Sequence, residues 1–167
     1  MKRPLGSEHG ESVKTHRALK SASLGLIVLL AACASRPARV STPAPERGPS
    51  HFRSYCAACH QYDGQGVGEA PPLDGSPWVT GPQDRLIKIV LHGVRGKIEV
   101  QGRTYDREMP GFGSILTDED LASLLSFVRS RFGGPSDPIR AAAVGRVRAA
   151  NQHRTRYWTV GELLEQR

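Results

Sequence analysis

The sequence predicts an all-α fold: one small helical domain at residues 48–132, behind a leader and tether and ahead of a helical extension at 133–167. Three observations carry this. Apolar residues recur at helical spacing over 83–92 and again over 118–132. The stretch between Asp63 and Gly81 is rich in Gly and Pro and holds no convincing strand run. The composition, 38% apolar and 6% aromatic over 167 residues, allows one modest core with appendages rather than two domains.

Residues 1–32 read as an export signal. Lys2, Arg3, Lys14, Arg17 and Lys20 make a basic start, and Leu24 to Ala32 is an apolar run too short to span a bilayer as a helix. The run ends in Leu30-Ala31-Ala32-Cys33, which resembles the lipobox of bacterial lipoproteins. That resemblance implies cleavage before Cys33 and lipid on its thiol. The competing reading is an ordinary secretory signal with a chance cysteine. Ala34 in place of Asp implies, by the same resemblance, the outer membrane if the envelope is Gram-negative. The basic segment is long for such a signal, so a start codon downstream of Met1 stays open. Removing the leader takes five basic and two acidic residues, and the formal charge falls from +7 to +4. Residues 33–47 then form a lipidated cysteine and a tether with three prolines after it.

The elements of the domain follow in order. A first helix runs from about Pro49 to Ala58. A second, Gln83 to His92, places Leu86, Ile87, Val90 and Leu91 on one face and stops at Gly93. The third, Asp118 to Phe132, has Thr117 as N-cap, Asp118, Glu119 and Asp120 at its positive end, and Arg129 and Arg131 at the other. Its apolar stripe is Leu121, Leu124, Leu125 and Val128. Residues 51–132 carry 9 basic and 10 acidic residues, so the positive charge sits outside the domain. Gly133-Gly134-Pro135 breaks the last helix. Beyond it, residues 138–167 hold six Arg against two Glu. Asp137 and Pro138 suggest a helix over 138–150, and Thr159 to Glu162 matches a capping box before Leu163-Leu164. The tail's arginines and Trp158 fit either an acidic partner or anionic lipid, or a tail laid along its own domain.

Cys56-Ala57-Ala58-Cys59-His60 is the c-type haem attachment sequence. Two thiols three apart on a helical turn reach both vinyl groups as thioethers, and the next residue, His60, falls under the iron. A zinc site needs a second ligand pair, and the domain has no other cysteine. A thioredoxin-like pair needs a strand-to-helix setting, whereas Gly- and Pro-rich chain follows here. A chance match or simple disulfide is the plain alternative. With Cys33 lipidated, all three cysteines are used. Met109 is the only methionine after Met1, in a loop where Pro110 and Gly111 prevent helix. Its thioether suits the sixth coordination position, the His/Met pattern of electron transfer, with core filler as the alternative. His92 competes for the role but reads as a capping or surface residue. His51 lies on the helix leading into the motif, and His153 in the basic tail.

From these residues the chain resembles the class I cytochrome c family over about 48–132. That fold wraps helices around one covalent haem c and packs its first and last helices together. The resemblance assigns the packing positions to Gly48 and Phe52 on one side and Leu124 and Phe127 on the other. It implies that a carbonyl in Pro71-Pro72-Leu73, with Pro71 the candidate, accepts the ring N–H of His60, and that Leu73 packs on the haem edge. Trp78 either donates to a haem propionate or fills the core, Tyr105 either lines the distal pocket or is an exposed loop residue, and Arg95 and Lys97 either neutralise propionates or are solvated. With so small a core, the haem-free chain is expected to fold poorly.

The function implied is a mono-haem carrier of single electrons, not itself an enzyme, exported and lipid-anchored on the periplasmic side. Its partners are a dehydrogenase, an oxidase or another cytochrome, and it is either free or a subunit of an oxidoreductase complex. No nucleic-acid partner is expected of an exported chain. The alternative is a haem-based enzyme or gas sensor with a labile distal ligand, and a third is a lipoprotein with an accidental motif.

Overall fold

The computed structural model describes residues 44–165. The leader, Cys33 and residues 34–43 lie outside the described residues.

Helix α1 (Ala44–His51) runs into a π-helical turn, Phe52–Cys56, and then into α2 (Ala57–His60). It begins inside the segment that proline content assigned to the tether. Proline in a helix's first turn costs no hydrogen bond, so that content does not exclude a helix start. The domain's last helix, α5 (Asp118–Phe132), lies across α1. Gly48 makes this possible: a Cβ there would stand 2.5 Å from the Ser123 carbonyl oxygen and 2.7 Å from Phe127 Cβ. Phe52, 2% exposed, sets its ring 5.5 Å from Phe127 and 5.3 Å from Phe132. Thr117 caps α5, accepting from the Asp120 N–H at 3.2 Å and donating to the Asp120 carboxylate at 2.8 Å.

Between these helices the chain turns from 61 to 76, then forms α3 (Pro77–Thr80) and α4 (Gln83–His92). Ser76 caps α3, accepting from the Trp78 N–H at 3.3 Å. The buried stripe of α4 is Leu86, Ile87, Val90 and Leu91, with Ile89 added.

Short strands accompany the helices of the expected all-α fold. They are β1 (Gly93–Arg95), β2 (Ile98–Val100), β3 (Arg103–Tyr105), β4 (Met109–Pro110) and β5 (Trp158–Thr159). β2 and β3 form a hairpin whose two turn residues, Gln101 and Gly102, both have positive φ, as a tight primed turn requires. The other three make a sheet in the order β4-β1-β5, with β4 antiparallel and β5 parallel to β1. Strands of two or three residues are too short to show an alternating pattern.

The extension also departs from expectation. Helix α6 spans Ala141–Ala150 with Arg140 at its N-cap, rather than starting at Pro138 behind Asp137. Ser126 on α5 captures the chain first: its hydroxyl accepts the Ile139 N–H at 2.8 Å and donates to the Ala122 carbonyl at 2.7 Å. Ile139, Ala143, Val144 and Val147 are all buried in the same core as Phe52, Leu121, Leu125 and Phe132. The break at 133–135 is therefore no boundary in packing. Helix α7 (Val160–Glu165) begins at the expected capping box: Thr159 N–H reaches Glu162 Oε2 at 2.8 Å, and Glu162 N–H reaches Thr159 Oγ1 at 3.3 Å.

Candidate functional site

The helices and the β1–β4 pair surround an open, apolar-lined cavity. Cys56, Cys59 and His60 stand on its wall, with Pro71 and Leu73 from the turn region, Trp78 from α3 and Met109 from β4. Leu86, Ile89, Val90, Leu124, Leu125 and Val128 complete an apolar lining.

The geometry of Ser54-Tyr55-Cys56-Ala57-Ala58-Cys59-His60 has a local cause. The π turn ends at Cys56 and the α-helical turn at His60, so two helical types meet within the motif. Single π turns in helices are often found at functional sites. Gln61 then leaves the helix at φ +62°, and Gly66 N–H bonds the His60 carbonyl at 3.0 Å. This reverses the chain so that the Pro71 carbonyl lies 3.0 Å from His60 Nδ1. A carbonyl only accepts, so the proton is on Nδ1 and the lone pair is on Nε2. Burial lowers the His60 pKa, and the Pro71 bond opposes that only in part, so the ring is neutral near pH 7. A neutral imidazole with a fixed tautomer is what iron ligation requires.

Cys56 is half-buried and Cys59 exposed, and the two are not joined to each other as a disulfide. Burial first, and the neighbouring Cys59 second, push the Cys56 thiol up to about 12. Reactive redox thiols have depressed values, so Cys56 is poorly suited to thiol–disulfide chemistry. Among the described residues no cluster of three or more His, Cys, Asp and Glu could hold a metal ion by itself. Two thiols, one neutral histidine and an apolar wall fit a planar, iron-bearing macrocycle far better than a bare ion.

The remaining sequence candidates fall in different places. Met109 sits on a strand rather than a loop, with Val94 as its partner on β1. Trp78 lines the cavity with the Arg85 guanidinium 4.7 Å from its ring centre. Tyr105 is buried on β3 under Arg103, so it is not an exposed loop residue, and it is absent from the cavity lining. Arg95, Lys97 and His153 are exposed. His51 bonds Asp120 at 3.1 Å on the outer side of α5. His92 is directed to the extension: it bonds the Arg154 backbone and meets Trp158 edge-on at 6.5 Å. Trp158 is only 3% exposed and is unavailable to a lipid or partner. Two lining aromatics went unforeseen, Tyr55 and Phe112, with ring centres 5.9 Å apart. Tyr55 had a signal, its place directly before Cys56; Phe112 had only its nearness to Met109.

The fold and this lining define a domain built to hold covalently attached haem. Comparison with protein families matches residues 45–132 to Cytochrome c. The chain is 36% identical over 104 residues to cytochrome c-552 of Thermus thermophilus, covering 56% of this chain and 79% of that one. It is 36% identical over 93 residues to the Cbb3-type cytochrome c oxidase subunit FixP of Sinorhizobium medicae, covering 54% and 31%. It is 37% identical over 118 residues to the fructose dehydrogenase cytochrome subunit of Gluconobacter japonicus, covering 63% and 22%. The chain belongs to the cytochrome c family. It is a class I c-type cytochrome, an electron carrier with covalently bound haem c and not itself an enzyme.

Proposed function

We propose that this chain is an exported, lipid-anchored mono-haem carrier with His/Met axial ligation. Cys56 and Cys59 hold the haem as thioethers, and His60 and Met109 bind its iron. Pro71 fixes the His60 tautomer, Leu73 and Trp78 pack against the macrocycle, and Cys33 carries the lipid. The bound haem supplies a one-electron couple. The chain's own contribution is to keep the histidine neutral and oriented, to offer a thioether from a strand, and to exclude water with the apolar lining. The observation that carries this reading is the His60–Pro71 bond within a cavity that both thiols and Met109 also line. Two fixed ligands keep the iron's surroundings alike in both oxidation states, which suits electron transfer over substrate chemistry.

The relatives named as oxidase and dehydrogenase subunits support redox proteins as partners, either as separate molecules or within a complex. A tether from Cys33 would confine the domain near membrane-bound partners and raise their effective concentration. The test of ligation is the spectrum of Met109→Ala beside the parent holoprotein, with and without carbon monoxide. The parent shows a Met–iron charge-transfer band, and the variant loses it and binds carbon monoxide. A parent that lacks the band and binds carbon monoxide readily overturns the assignment and favours a sensor or enzyme. Metabolic labelling with palmitate, lost in Cys33→Ser, tests the anchor.

A further inference from the structure

We infer that the C-terminal extension positions Met109, through Arg148 and Trp158, and so governs how firmly the cavity's distal side is closed. This rests on the reading of Met109 as the iron ligand.

β4 has two residues, and β1 is its partner. The far edge of β1 is taken by β5, so Val94 is flanked by Met109 on one side and Trp158 on the other. Trp158 is buried with Ile89, Val94 and Leu163, and Met109 and Trp78 pack against that cluster. The Trp158 ring is itself held, with the Arg154 guanidinium 3.4 Å and the Lys88 ammonium 5.3 Å from its centre. The segment that follows Met109 is fastened by Arg148 on α6. Its guanidinium donates to the carbonyl of Gly113, to that of Leu116 at 2.9 Å, and to Asp118 Oδ1 at 2.7 Å. One side chain thus ties the turn after Met109 to the start of α5. The same turn is joined to α4 by Phe112 N–H to Val90 O at 2.8 Å and Gly113 N–H to Leu91 O at 3.0 Å. The extension therefore grips the Met109 segment twice, at its strand and at its following turn. Arg148 and Trp158 do not line the cavity, so they act through Met109 and are positioning residues.

The test uses Arg148→Met and Trp158→Phe in the mature holoprotein, well below the unfolding temperature. Three quantities are read: carbon monoxide binding to the reduced protein, the charge-transfer band, and amide exchange over 109–117 and over 60–73. Charge-assisted hydrogen bonds are strong enough that losing one raises an open population about tenfold. Arg148→Met is expected to speed carbon monoxide binding and exchange over 109–117 by about tenfold, with exchange over 60–73 unchanged. Arg148→Lys is expected to lie between it and the parent. Trp158→Phe keeps an aromatic ring in the cluster and is expected to give a smaller change of the same kind. If Arg148→Met and Trp158→Phe lower only the unfolding temperature and leave carbon monoxide kinetics and 109–117 exchange at parent values, the inference is overturned. Met109→Ala serves as the reference. If it leaves the band in place, the ligand assignment fails on its own, and exchange over 109–117 still decides whether the extension holds the segment.

Discussion

The two sides of the cavity are held by different kinds of contact. On the His60 side the ties are short in sequence: the Pro71 carbonyl that fixes the ring is eleven residues away, and the turn between is closed by Gly66 N–H to His60 O. On the Met109 side the ties are long. Its strand is backed by β5 across the pairing of Val94 with Trp158, and its following turn is held by Arg148, 35 residues beyond Gly113. The first side is a local motif placed on a helix. The second is assembled only when the extension returns. Local contacts order cheaply, whereas distant ones must overcome loop-closure entropy, so the Met109 side is expected to open first.

The largest effect should come from removing what both sides share. Cys56→Ala with Cys59→Ala abolishes covalent attachment. Leu86, Val90, Leu124, Leu125 and Val128 then face an empty cavity, and a core this small supplies only about 3–5 kcal/mol. The cooperative thermal transition and most helical circular dichroism should be lost. A variant that keeps both would show that the helices close without haem.

Next is Gly48→Val, which strikes the helix crossing behind the His60 side. The added side chain meets the Ser123 carbonyl and Phe127, and overpacking of this kind costs about 3 kcal/mol. Chemical denaturation measures it, and a change below 1 kcal/mol, roughly the cost of a tolerated core swap, would mean that α1 slides freely on α5.

Ser126→Ala acts where α5 meets the extension. It leaves the buried Ile139 N–H without its acceptor, at a cost of about 1–2 kcal/mol. Amide exchange should quicken over 138–147 and stay unchanged over 60–73; equal quickening of both would erase the contrast between the sides.

The smallest effect is acid sensitivity at Glu162. The Thr159 N–H first, and Arg154 next, hold its carboxyl at about 2, against 4.5 unperturbed. The folded value is depressed, so the contribution is full above pH 4.5 and disappears as pH falls through about 2. Exchange over 158–163 should rise in that window, and Glu162→Gln should flatten the response.

Much of the His60 side was legible because its chemistry demands fixed spacing. Cys56, Cys59 and His60 can serve one haem only at that interval, and Gly48 and Phe52 stand eight and four residues before Cys56. The third helix announced itself through Thr117 and three acidic residues. The Met109 side was legible only as one residue. That Met109 lies on a strand depends on a partner in β1, and β1 depends on Trp158 far along the chain. No period can show a two-residue strand. The roles of Arg148 and Trp158 were hidden for the same reason: an arginine-rich tail reads as solvated until its acceptors, here the carbonyls of Gly113 and Leu116, are brought to it. Neither reading of Tyr105 placed it in a hairpin, because a two-residue primed turn at Gln101-Gly102 lacks the usual Asn-Gly signature.

The parallel pairing of β1 with β5 also sets a schedule. Residue 94 cannot acquire its neighbour at 158 until the chain has emerged that far. The Cys56–His60 helix is complete about a hundred residues earlier in synthesis, and chains are made from the N-terminus. Attachment chemistry at the cysteines can therefore meet a cavity whose far wall is still ajar, and Trp158–Thr159, arriving later, becomes the latch that shuts it.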